Sequence, residues 1–162
     1  MKRLGILSLI LLILLISGCA HVVSQELRDR AEKEISPIDV MKDPDAYKGR
    51  TVILGGVIAS SINMKEGTYI EVVQKPLGYR GRPEDTDISH GRFIILYEGY
   101  LDTAIYSQGR EVTVAGEVMG KMVRPLGQIQ YQYLLIKSKE LHIFEPRYGV
   151  PIRFGIGIWH TF

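Results

Sequence analysis

Apolar and polar positions change rhythm several times along the chain. Residues 4–16 are almost continuously apolar, broken only by Gly5 and Ser8. Residues 20–36 are polar, with Leu27, Ala31 and Ile35 spaced at i, i+4 and i+8. That sparse spacing suits a solvated helix or a tether, and a tether is the expectation. Ser36-Pro37 reads as an N-cap followed by proline at the first helical position, which predicts a short helix over 37–41 ending before Asp43-Pro44. From Gly49 onward the rhythm becomes that of strands, expected at 51–62, 68–74, 92–97, 111–119 and 131–144. The last is long enough to bend or break near Lys139. Val112, Val114 and Val118 share one face of the fourth strand, opposite Glu111, Thr113 and Glu117. Clusters of Gly, Pro, Asn and Asp separate the five. Five strands, little helix and no alternation of strand with helix predict a single all-β domain.

An internal echo narrows the architecture. Gly49-Arg50-Thr51-Val52-Ile53-Leu54-Gly55-Gly56-Val57-Ile58 recurs in outline as Gly109-Arg110-Glu111-Val112-Thr113-Val114-Ala115-Gly116-Glu117-Val118. Two strands thus start at a Gly-Arg turn and carry an interior glycine. Such a glycine marks a bend, a bulge or a close backbone approach. Bent strands are what a small closed barrel needs. A five-stranded OB-like barrel fits the count, with a short segment over 100–108 between strands three and four. The expected organisation is residues 1–18 as a signal peptide, 19–36 as a tether, 37–146 as the OB-like β-barrel and 147–162 as a C-terminal tail.

The first apolar run explains itself by its flanks. Lys2 and Arg3 precede it, and Ile16-Ser17-Gly18-Cys19 closes it. A charged start, about a dozen apolar residues and a small-residue exit describe a secretory signal. The run is shorter than the roughly 20 residues of a spanning helix. Ile16, Ser17, Gly18 and Cys19 resemble the bacterial lipobox at all four places. That resemblance implies diacylglyceryl transfer to the Cys19 sulfur, cleavage between Gly18 and Cys19, and acylation of the new amine. Ala20 at the second mature position, where Asp would favour the inner membrane, points to the outer membrane. Cys19 is the only cysteine of the chain, so no disulfide or cysteine-based metal site is available.

Charge matters once the signal is set aside. The 162 residues carry 20 Lys and Arg against 18 Asp and Glu. Removing residues 1–18, with Lys2 and Arg3, leaves 144 residues and equal numbers of basic and acidic groups. No global field remains to favour nucleic acid, which is not expected as a partner.

Candidate chemistry is sparse. His21, His90, His142 and His160 show no i, i+3 or i, i+4 pairing and no metalloprotease spacing. No nucleophile elbow or phosphate loop is present. No metal, cofactor or catalytic residue is expected, and the chain is read as not an enzyme. The 75–91 loop is the most informative polar stretch, holding Lys75, Arg80 and Arg82 with Tyr79, then Glu84, Asp85 and Asp87. Seventeen residues is long for a hairpin connection. One reading is a solvated loop whose charges cancel. The other is a ligand rim of Tyr79, Arg80 and Arg82 for an envelope glycan or anionic oligomer. In the tail, Ile152, Phe154, Ile156 and Ile158 alternate with Arg153, Gly155, Gly157 and Trp159. That pattern could add an edge strand or dock on a partner.

A longer series of motifs points to a family. Pro44-Asp45-Ala46-Tyr47-Lys48-Gly49, the Gly55-Gly56-Val57-Ile58 strand and Ile70-Glu71-Val72 followed by Pro76-Leu77 come in order. Gly91-Arg92-Phe93, Gly99-Tyr100-Leu101-Asp102 and the 109–116 segment continue it. The series resembles the Slp family of outer-membrane lipoproteins, from the lipobox to about Phe144. The resemblance implies an outer-membrane lipoprotein linked with stationary-phase or stress physiology, and implies no catalytic residues. The expected partners are the membrane, through lipid on Cys19, and an envelope protein or glycan.

Overall fold

A computed structural model of the chain describes residues 21–31 and 35–147. Five strands close into a barrel: β1 (Thr51–Met64), β2 (Gly67–Lys75), β3 (Arg92–Tyr97), β4 (Glu111–Leu126) and β5 (Ile129–Ile143). Their order around the barrel is β1-β2-β3-β5-β4, with β4 returning to β1. β3 and β5 form the parallel pair, and every other pair is antiparallel. This is the OB-like barrel expected from the strand pattern.

The interior glycines act as anticipated. β1 pairs with β4 over residues 51–57 and with β2 over 55–64, so Gly55 and Gly56 serve both neighbours. A Cβ on Gly56 would lie 1.9 Å from the Val73 carbonyl oxygen. At Gly116 it would lie 2.3 Å from the Lys137 oxygen. Both glycines permit backbones to approach where a side chain cannot fit. Irregularities of register complete the curvature: pairing passes from Ile58 to Ser60, from Val118 to Gly120, and from Ser138 to Glu140. The last leaves Lys139 as the extra residue of a bulge, so β5 bends there without breaking.

Inward positions build the core. Val52, Leu54, Ile58, Ile70, Val72, Phe93, Ile95, Val112, Val114, Val118, Leu134 and Ile136 are all buried in one cluster. Helix α2 (Pro37–Lys42) adds Val40, which is fully buried in the same cluster. Ser36 caps this helix, its hydroxyl accepting the Ile38 N–H at 3.2 Å. Burying a valine stabilises by about 1.5–3 kcal/mol, enough to hold so short a helix across the barrel. A 3₁₀ turn, Pro44–Tyr47, follows. Asp45 ties it to β4, accepting from the Lys121 N–H at 3.2 Å and pairing with Lys48 at 2.9 Å. The hydrogen bond from Lys48, followed by that from the Lys121 backbone, lowers the Asp45 pKa to about 2.

Two differences from the sequence reading bear on function. First, residues 21–31, expected within a tether, lie docked on the barrel wall. Helix α1 (Gln25–Arg30) is capped by Ser24, and Val23 and Leu27 are buried against Ala115 with Ile53 beside them. Ile53 and Ala115 face outward as cross-strand partners. They leave an apolar spot that the sparse pattern of 23 and 27 is sufficient to cover. Secondly, β4 runs on to Leu126, past its expected end at Met119, and β5 starts two residues early at Ile129. Beyond the last pairing of β5 with β3, at Leu134, they continue as a two-stranded ribbon, paired from Met122 with Tyr133 to Leu126 with Ile129.

The 98–110 segment, between β3 and β4, forms turns. It covers the edge of β1 that β4 leaves free. Ser61 Oγ donates to the Tyr106 carbonyl at 2.6 Å, and Asn63 donates to the Leu101 carbonyl at 3.2 Å. The buried Thr68 hydroxyl accepts the Leu101 N–H at 2.9 Å.

Candidate functional site

The 75–91 loop does not hold its two arginines in one rim. Tyr79–Gly81 forms a tight turn in which Tyr79 is 86% exposed and Arg80 is exposed. The Arg80 guanidinium lies 6.0 Å from the Tyr79 ring centroid. Arg82 turns the other way. Its Nε meets Glu111 Oε2 at 2.6 Å, its Nη2 donates to the Glu145 carbonyl at 2.9 Å, and its guanidinium stands 5.0 Å from the Phe144 ring. Glu111 also receives Arg147 at 2.9 Å, and Arg147 donates to the Pro83 carbonyl at 2.6 Å. A single carboxylate thus joins the loop, the start of β4 and the end of β5. Lys75 is likewise engaged, donating to the Thr86 carbonyl at 2.5 Å. The loop is therefore clamped at its base, with Tyr79 and Arg80 exposed at the turn and Glu84, Asp85 and Asp87–His90 exposed further along.

The turn is held from beneath. Thr113 on β4 faces outward yet is fully buried, and its hydroxyl donates to the Gly81 carbonyl at 2.7 Å. The Arg80 carbonyl accepts the Val22 N–H at 3.1 Å. His21 sits against Gly81, where a Cβ would fall 2.6 Å from the imidazole Cε1. Burial, then the positive charge of Arg28, lowers the His21 pKa. The imidazole is thereby kept neutral, and its Nδ1 accepts the Val23 N–H at 3.1 Å.

A second constellation escaped sequence reading. It lies on the outer face of β2, β3 and β5, the face through which OB-folds commonly engage oligomers. Arg92 Nη1 meets Glu71 Oε1 at 2.6 Å, and the Tyr133 hydroxyl donates to the same oxygen at 3.2 Å. The Tyr131 hydroxyl accepts the Arg92 N–H at 3.1 Å. Tyr131 and Tyr133 stand edge to face at 4.7 Å. At the rim, Arg124 of the ribbon lies 5.1 Å from the Tyr69 ring. Burial, then the charge of Glu71, raises the Tyr133 pKa, so the phenol remains a hydrogen-bond donor at neutral pH. The alternation of Tyr69 and Glu71 along β2 was the available signal. It said which side faces out, but not that Arg92 and Tyr133 would meet Glu71 there.

These two constellations offer aromatic faces, guanidinium groups and hydroxyls for contact. Among the described residues no group of three or more His, Cys, Asp or Glu is placed to hold a metal ion. A half-open cleft of about 360 Å³ lies between α2 and the end of β2, lined by Pro37, Ile38, Gln74, Pro76 and Leu77 among others. Gly18 and Cys19 fall outside the described residues, as does the 148–162 part of the expected tail.

Known proteins are similar to this chain in sequence. An "Uncharacterized lipoprotein YeaY" of Escherichia coli (strain K12) is 27% identical over 124 residues, 76% of this chain and 64% of that protein. "Outer membrane protein Slp" of the same strain is 23% identical over 144 residues, 88% of this chain and 76% of its own. An uncharacterized protein of Haemophilus influenzae is 27% identical over 113 residues, covering 69% of this chain and 58% of that one. The matched stretch thus spans less than two thirds of the first and third of these relatives. The sequence model of one family matches residues 16–155, from the lipobox through the barrel and beyond. The chain belongs to the outer membrane lipoprotein Slp family.

Proposed function

We propose that the protein is a lipid-anchored module of the cell envelope, held on the outer membrane and facing the periplasm, which works by contact rather than by catalysis. Family membership supports the location, and the Ile16-Ser17-Gly18-Cys19 series supports Cys19 as the lipidated residue. The observation that carries the contact reading is the way polar side chains are used. Arg82 and Arg147 converge on Glu111, and Arg92 and Tyr133 converge on Glu71. These groups bind the molecule to itself, as a scaffold's do. A link with stationary-phase or stress physiology belongs to the same proposal.

Two experiments test it. Cys19→Ser is expected to yield unlipidated protein that leaves the membrane fraction, read by intact mass and fractionation. Unchanged lipidation would refute the anchor. Cross-linking in whole cells followed by affinity capture is expected to return one specific envelope partner, lost when residues 150–162 are deleted. Turnover of an envelope substrate by the purified lipoprotein would overturn the non-catalytic reading.

A further inference from the structure

The segment next to the lipidation position is not free to swing. Val22 donates to the Arg80 carbonyl, Val23 is buried, and Ser24 N–H reaches Glu140 Oε2 at 2.8 Å. Cys19 is two peptide units from His21. Covalent geometry alone therefore keeps its Cα within about 7.6 Å of the His21 Cα. Since His21 rests on Gly81, acyl chains on Cys19 must enter the bilayer close to the Tyr79–Gly81 turn.

That turn is shaped unlike its surroundings. Arg80 has φ 76° and ψ 4°, the only positive φ of a non-glycine among the described residues. The left-handed region costs such a residue about 1–2 kcal/mol relative to its usual conformation. The bond from Val22 and the seat of Gly81 on Thr113 help to hold it there. The result is an outward tyrosine beside an outward arginine. Among the described residues, Arg80 has no carboxylate at ion-pair distance, unlike Arg82 two positions on. A phenol ring with a polar tip suits the headgroup level of a bilayer. A guanidinium suits the phosphodiester oxygens beside it. The fold displays this pair at the place where the lipid must enter.

We propose that the Tyr79–Arg80 turn lies in the phospholipid headgroup layer of the membrane that holds the Cys19 lipid, fixing the barrel in one orientation. The proposal rests on lipidation at Cys19. It assigns the exposed Tyr79–Arg80 turn of the 75–91 loop to a lipid surface, not to a glycan. It also sets the barrel's polarity. From Gly55, beneath the turn, β1 runs nine residues to Met64, about 30 Å of strand away from the anchor.

The test uses the mature lipoprotein with Trp159→Phe, reconstituted through its own lipid into phosphatidylethanolamine–phosphatidylglycerol vesicles with brominated acyl chains. Tyr79→Trp supplies one reporter, and Tyr100→Trp, beside the β1–β2 hairpin, supplies the control. The Tyr79→Trp reporter is expected to shift to the blue and to be quenched at least about twofold more than the control. Arg80→Gly, which suits the same backbone geometry, is expected to reduce that quenching while leaving the circular dichroism unchanged. Equal quenching at both positions, or none at either, overturns the proposal. So does a response of the Tyr79→Trp reporter to soluble peptidoglycan fragments but not to vesicles. Intact mass separates the two levels of failure. Protein lacking lipid defeats the anchor and the docking together, whereas lipidated protein with an unquenched reporter defeats the docking alone.

Discussion

At the end of the barrel where the chain enters, a short segment lies flat on the wall, and Arg82, Glu111, Glu140 and Arg147 near it are engaged. At the other end, the β1–β2 hairpin and the β4–β5 ribbon leave Ile62, Met64, Val123 and Ile129 exposed beside Tyr100. The same strands serve both ends, since β1 and β4 run the length of the molecule. The difference comes from what lies over them. At the entry end, Val23 and Leu27 cover Ile53 and Ala115, and the Glu111 clamp gathers the loop. At the hairpin end, the strands have outrun their neighbours. One end is therefore fixed by a docked segment and a carboxylate clamp, the other by strand pairing with a few side-chain contacts such as Arg124 over Tyr69.

The largest way to break this contrast is at the residue both ends share. Gly56→Ala would drive a methyl into the Val73 carbonyl. It should cost about 3 kcal/mol or prevent folding, read as the urea midpoint and slope. Leu27→Ala acts on the entry end alone. A loss of roughly 2 kcal/mol is expected, with faster amide exchange at Val22 and Val23 and no change at Tyr131 or Tyr133. Glu111→Gln removes the carboxylate charge from between Arg82 and Arg147 and should cost about 1–2 kcal/mol. The loss should shrink in high salt. At the hairpin end, Ile129→Ser should stay within about 0.5 kcal/mol of the parent, because the side chain is exposed. A larger loss there would show that the ribbon is packed after all.

Acidity sharpens the comparison further. The His21 pKa lies below its ordinary 6.5 in the folded protein. The unfolded chain therefore binds the proton more readily, and docking of residues 21–23 is supported above pH 6.5 and weakens as pH falls below it. Amide exchange at Val23 between pH 7.5 and 5.5 should report this, and His21→Asn should remove the dependence. Asp45, whose pKa falls from 3.8 to about 2, supports the turn above pH 4 and releases it only as pH falls through about 2. The entry segment should thus loosen well before the 3₁₀ turn does. Coincident loosening would refute separate control.

The sequence showed the strands where they lie in the barrel wall, and fell short where they run beyond it. β3, Arg92–Tyr97, is found at its expected limits because it lies wholly in the barrel wall. β4 was expected to stop at Met119, since beyond it exposed Lys121 and Val123 no longer follow a core rhythm. The glycine echo did report real geometry, because backbone contact leaves its mark in residue type. Residues 21–31 were read as a tether because two buried positions in eleven are too few to set a period. Tyr79, Arg80 and Arg82 were grouped by proximity in the chain. Their separation is decided by Glu111, 29 positions from Arg82. The Glu71 cluster was hidden for a similar reason, its tyrosine lying 62 positions away.

The bond from Ser24 to Glu140 spans 116 positions, which sets an order in time. A chain delivered from its N-terminus presents residues 21–31 long before β4 and β5 exist to receive them. On the proposal that Cys19 is lipidated, processing beside it would meet residues 21–31 before they have docked. Only when β4 pairs with β1 does the wall form on which Val23 and Leu27 settle, and β5 then adds Glu140. On the same proposal, maturation of the N-terminus and closure of the barrel would not compete for the same residues.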